Sequence, residues 1–139
     1  MPTFDVTEVG GRRYVSTGNA WERRYGYSRA VRAGERVWLT GTLGVEVDGT
    51  FAADAAGQAE RALDILLGAL EAAGGAVKDV VYVRGYLTDI ADADAIGEVF
   101  RRRIVEAAGI GPGFLQVEVS RLAAPEARVE LEAEAVITP

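Results

Sequence analysis

Cysteine and histidine are both absent from this chain. The first absence excludes disulfides, thiolate nucleophiles and thiolate metal sites, and it suits a reducing compartment. The second removes Ser-His and Cys-His nucleophilic machinery, His-based zinc sites and the side chain that ordinarily titrates near neutrality. Acid–base chemistry is left to carboxylates, Tyr, Lys, Arg or water. Long apolar runs are missing too: the longest fall far short of a membrane span, and Met1 to Val9 carries Asp5 and Glu8 where a signal peptide needs an apolar core. These features lead us to expect a cytoplasmic protein with no membrane partner.

Positive charge is also scarce. Fifteen Lys and Arg face 21 Asp and Glu, for a net charge of −6. Nucleic-acid binding draws its affinity from clustered cations, so RNA or DNA is not an expected partner. The one basic cluster, Arg101, Arg102 and Arg103, reads as the solvated side of a helix before a phosphate contact.

What is present is ordinary globular composition, 49% hydrophobic and 26% charged over 139 residues. That length predicts a single domain over residues 1–139. No linker, charge block or internal repeat divides it. Short strands are expected at Arg12 to Thr17, Ser28 to Arg32 and Val37 to Thr40, with Gly18-Asn19 and Ala33 to Glu35 as turns. The aromatic-rich Trp21 to Tyr27 follows the first turn, and Asp48-Gly49 signals another. From Asp54, a candidate N-cap, Ala59, Ala62, Leu63, Leu66, Ala69, Leu70 and Ala73 recur at helical spacing until Gly74-Gly75.

Val80 to Thr88 reads as a strand, and a second helix starts around Asp92 to Asp94, carries Ile96, Val99, Phe100, Ile104 and Ala107 as its apolar stripe, and ends near Gly109. Phe114 to Val119 alternates, with Leu115, Val117 and Val119 on one face. The last strand does the same, Val129, Leu131, Ala133, Ala135 and Ile137 opposing Arg128, Glu130, Glu132, Glu134 and Val136. This order predicts an α+β fold, a mixed sheet with both helices packed on one face and a polar opposite face.

Three segments together carry a family resemblance: GYSRAVRAGERVWLTGT (Gly26 to Thr42), GAVKDVVYVRGYLTDIADADAIGEVF (Gly75 to Phe100) and GPGFLQVEVSRLAAPEARVELEAEAV (Gly111 to Val136). In order and spacing they resemble the reactive intermediate deaminase (Rid, RidA/YjgF) family. The resemblance implies a chorismate-mutase-like fold, a homotrimer with small-molecule clefts between subunits, and hydrolysis of reactive 2-imino or 2-enamino acids without metal or organic cofactor. Such a site need only hold the substrate carboxylate, usually with Arg, and position water. One departure stands out. Aligning VEVSRL (Val117 to Leu122) with the family pattern puts Phe114 where deaminating members carry that Arg.

Glu130 matches the family's cleft glutamate and is the candidate catalytic residue, able to orient water or an imine nitrogen; alternatively Glu130, Glu132 and Glu134 simply form a solvated or intersubunit face. Tyr27 either caps a ligand or packs with Trp21 and Tyr25. Gly41 either brings backbone close to a ligand or merely ends a strand. Arg84, by parity beside Tyr82 and Tyr86 and opposite Val81, Val83 and Leu87, is expected on the polar face with Glu118 and Glu130. There it either replaces the missing guanidinium or forms a salt bridge to one of those glutamates. Arg29 and Arg121 are further candidates, and Phe114 either lines an apolar cleft or belongs to the core. Two functions follow: an imine- or enamine-hydrolysing enzyme with altered recognition, or a non-catalytic small-molecule-binding or regulatory protein of the same fold. A ribonuclease is a third, disfavoured by the acidic composition.

Overall fold

The structure is a computed structural model that describes residues 3–138. Seven strands form one mixed sheet: β1 (Asp5–Val9), β2 (Arg12–Ser16), β3 (Ala30–Ala33), β4 (Arg36–Leu43), β5 (Val80–Leu87), β6 (Gly113–Glu118) and β7 (Val129–Val136). Their spatial order is β1-β2-β3-β4-β7-β5-β6, antiparallel throughout except for the parallel pair β5–β6. That parallel pair needs a crossover, which the second main helix supplies.

The principal helix α2 (Ala55–Ala72) starts where Asp54 caps it, the carboxylate accepting from the Gly57 N–H at 2.8 Å. It stops at Ala73, followed by Gly74 at φ 96°, a conformation costly for any residue with a Cβ. Its stripe of Ala59, Ala62, Leu63, Leu66, Ala69 and Leu70 is buried against Val37, Leu39, Leu131, Ala133 and Ala135 of the central strands. Each such leucine contributes about 1.5–3 kcal/mol relative to an exposed one. Helix α3 (Ala93–Phe100), introduced by a 3₁₀ turn at Ile90–Asp92, continues as a π-helical segment at Arg101–Glu106 and adds Ile96, Val99 and Ile104 to the same core. Both helices thus cover one face, as expected. No helix among the described residues is long and apolar enough to cross a membrane.

Three local expectations are corrected and one strand is added. Gly18-Asn19 does not turn directly into another strand; Asn19 caps a short helix, α1 (Ala20–Tyr25), with its side-chain oxygen accepting from the Glu22 N–H at 2.8 Å. The N-terminal segment adds a strand, Asp5–Val9, closed onto β2 through Gly10 and Gly11 at φ 59° and 79°. Val81 does not share the inner face with Val83, because the β5–β7 register shifts between Val80 and Tyr82 and leaves Val81 47% exposed. Glu118 does not join Arg84. It pairs with Leu87, a core residue, and accepts from the Ile90 N–H at 2.9 Å on the helix side.

Candidate functional site

The helix-free face of the central strands gathers most of the candidates. Glu130 on β7 lies opposite Tyr86 of β5 and Leu43 of β4. The β4–β7 register shifts between Leu39 and Thr42, and the irregularity at Thr40-Gly41 turns Thr42 inward, where it is 2% exposed. A Cβ at Gly41 would sit 3.2 Å from the Glu130 carboxyl carbon and Oε2, so the glycine lets that carboxyl lie against the β4 backbone. Glu130 is partly buried, and its side chain accepts no hydrogen bond among the described residues. Burial pushes its pKa up from 4.5; the charge of Arg29 pulls the other way, and Glu132 adds to the rise.

Behind Gly41 lies a buried polar cluster. Arg29 and Glu22 are each 3% exposed and pair through Nε and Oε2 at 3.4 Å. Glu22 also accepts from the Ser16 hydroxyl at 2.6 Å, from the Thr17 N–H at 3.0 Å and from the Thr17 hydroxyl. Burial alone would raise its pKa. The hydrogen bonds from Ser16 and Thr17, with the Arg29 charge, outweigh burial and hold it below 4.5. The Arg29 fork reaches onward: Nη1 donates to the Gly41 carbonyl at 2.7 Å and to the Thr42 hydroxyl at 2.8 Å, and Nη2 donates to the Tyr27 hydroxyl at 3.3 Å. Tyr27, 36% exposed, takes the Arg29 guanidinium over its ring at 5.5 Å, while Trp21 and Tyr25 stack on each other. The structure therefore brings Tyr27, Gly41, Glu130 and Arg29 into one region.

Arg84 shares that sheet face but is engaged elsewhere. It pairs with Glu134 at 2.5 Å and Glu132 at 3.8 Å, neither being the Glu118 or Glu130 expected from parity, and its guanidinium lies 4.4 Å from the Tyr82 ring centre. The Tyr86 hydroxyl donates to Glu132 at 2.5 Å. Phe114 is on the other face. It pairs with Val83 and stacks on Phe100, centroids 3.9 Å apart and planes within 3°, beside an apolar void of about 10 Å³. That void admits no metabolite. Arg121 is exposed in the β6–β7 connection.

Sequence reasoning missed Glu22 and Thr42. A signal for the first existed in Asn19-Ala-Trp-Glu22, an N-cap residue followed three places on by Glu.

A family model described as endoribonuclease L-PSP matches residues 17–137. The chain belongs to this family, which is the Rid/YjgF family. Among curated relatives, the RutC family protein PH0854 of Pyrococcus horikoshii is 30% identical over 124 residues, 88% of this chain and 95% of its own. Among solved Rid/YjgF folds, Rv2704 of Mycobacterium tuberculosis, described as a member of the highly conserved YjgF/YER057c/UK114 family, is 39% identical. It superposes with a TM-score of 0.81, over 91% of this chain and 99% of its own. TdcF of E. coli, solved with bound serine, is 29% identical with a TM-score of 0.74, covering 81% of this chain and 88% of that one.

Proposed function

We propose that this Rid-family protein hydrolyses a small imine or enamine in a cleft walled by Tyr27, Gly41 and Glu130. Water adds to the C=N carbon, the carboxylate takes the water proton and returns it to nitrogen, and collapse gives a carbonyl compound and ammonia. The observation that carries this reading is Glu130: a partly buried carboxyl with no donor on it, raised in pKa, beside a glycine that keeps the space next to it narrow. A carboxyl whose pKa is raised suits general acid–base work. The serine bound in TdcF supports a small polar ligand for this fold.

The same geometry supports an altered substrate. Neither guanidinium near Glu130 is free: Arg29 is buried on Glu22, Gly41 and Thr42, and Arg84 is spent on Glu132 and Glu134. Phe114, at the family's arginine position, is packed against the core on the helix side. An imine without an α-carboxylate is the better fit. A homotrimer is part of this reading, supported by a helix-free face that exposes Trp38 and Leu115, each 41%, beside ion-paired side chains. RNA cleavage is not supported, since Arg101, Arg102 and Arg103 are all paired with Glu98, Glu106, Glu60 or Asp64.

The test supplies imines in situ, from alanine with an amino-acid oxidase and from benzylamine with a flavin amine oxidase. Faster loss of the benzylamine-derived imine, reduced about a hundredfold or more in Glu130→Gln, is the expected result. No acceleration of either imine, in a protein that binds small molecules, would leave the non-catalytic reading, which the packing of Phe114 favours.

A further inference from the structure

The buried Glu22–Arg29 pair is costly machinery for stability alone. Removing two charges from water roughly cancels their attraction, and apolar residues of the same volume often do as well. Here the pair does something an apolar cluster cannot. One planar fork with fixed donor directions ties together three separate pieces of chain: α1 through Glu22, the segment before β3 through Tyr27, and the irregular stretch of β4 through Gly41 and Thr42. The Thr42 hydroxyl passes the restraint on by donating to the Thr40 carbonyl at 2.7 Å. Gly41, in the stretch so restrained, is the backbone against which the Glu130 carboxyl lies.

We propose that Arg29, neutralised by Glu22, is a positioning residue of the cleft: it locks the Thr40–Thr42 wall and the Tyr27 hydroxyl, and it holds a fixed positive charge behind Glu130. Its importance for turnover rests on the hydrolytic reading above; its hold on Glu130 does not. The ionisable groups facing Glu130 are few. Glu132 stands on its own strand, Tyr86 faces it from β5, and β4 presents the uncharged Leu43 and Gly41. Arg29 is thus the cation that opposes burial and Glu132, pulling the carboxyl's pKa back down.

The experiment follows the Glu130 carboxyl by ¹³C NMR titration, assigned with Glu130→Gln, in the wild-type protein, Arg29→Lys and the charge-neutral double variant Glu22→Gln/Arg29→Gln. The midpoint is expected to move up in the double variant and to stay at the wild-type position in Arg29→Lys, which keeps a charge. Should the double variant not fold, Arg29→Gln alone, whose Glu22 retains its bonds from Ser16 and Thr17, makes the same comparison. Equal midpoints in all folded proteins would overturn the proposal and leave the pair a packing feature. With the benzylamine-derived imine, kcat should fall between about tenfold and a hundredfold in the double variant with a smaller change in KM, and its pH–rate profile should shift upward with the titration. If the wild-type protein hydrolyses no imine, the functional reading falls and the titration still decides this one.

Discussion

Two glutamates feel the charge of one arginine and respond to burial in opposite ways. Glu22 is 3% exposed, yet its pKa is lowered, because Ser16, Thr17 and Arg29 together supply donors to the charged form. Glu130 is partly buried and its pKa is raised, because burial acts on it with no hydrogen-bond donor among the described residues to offset it. Satisfaction by donors decides the direction. The first carboxylate is therefore fixed as an anion and serves structure, while the second is left able to exchange a proton. This division of labour suits the hydrolytic cleft proposed above.

The comparison breaks most sharply at Glu22. Glu22→Ala strands a buried guanidinium, and we expect a loss of about 3–5 kcal/mol in urea unfolding. A loss below about 1 kcal/mol would mean that the pair is not the closed unit described. A smaller effect is expected on the other side. Gly41→Ala puts a methyl 3.2 Å from the Glu130 carboxyl, which can swing aside, so folding should hardly change. Imine turnover should then fall about tenfold through misplacement of the carboxyl. Unaltered turnover would show that Glu130 works from some other position.

Much of the fold was legible in the sequence, because the relevant pattern was local. The α2 stripe, its Asp54 cap and the alternation of β7 were all readable from spacing. Alternation failed wherever the ladder slips: Val81 and Thr42 both follow or sit at register shifts, and a single extra residue reverses inside and outside. Strand β6 failed for a different reason. Phe114 and Gln116 on one side and Leu115 and Val117 on the other give no decisive polar face, so its orientation beside β5 was set by the crossover and not by pattern. Within the candidate site, Glu130, Gly41 and Tyr27 were visible through family likeness. Glu22 was not, because a buried glutamate and a solvated one look alike until the surrounding donors are assembled.

The opposite shifts also give opposite pH dependences of stability. Glu22, lowered in the folded state, stabilises above its ordinary value of 4.5, and that contribution is lost as pH falls through the folded value. Glu130, raised in the folded state, binds its proton more tightly when folded. Stability therefore declines as pH rises from 4.5 through its folded value. Replacing Glu130 with Gln should flatten that decline and leave the acid limb intact. A decline of the same size in Glu130→Gln would assign it to another group.

The smallest effect is expected from Arg84, and it separates the open face from the buried cluster. Arg84 bridges Glu132 and Glu134 across β5 and β7, with side chains 27–33% exposed, so water competes for every contact. Pairs of this kind contribute about 0–1 kcal/mol. Arg84 is also absent from the groups that shift Glu130. Arg84→Ala should thus change unfolding stability by no more than about 1 kcal/mol and imine turnover by less than about threefold. If neighbouring subunits cover this face, the variant should instead weaken assembly, read by light scattering as dissociation at a higher protein concentration. The opposite pattern, turnover down about tenfold or more in an intact assembly, would mean that Arg84 leaves its glutamates when substrate arrives and supplies a guanidinium to the cleft. In that event the preference for carboxylate-free imines would also have to be abandoned, since both consequences rest on Arg84 being held by Glu132 and Glu134.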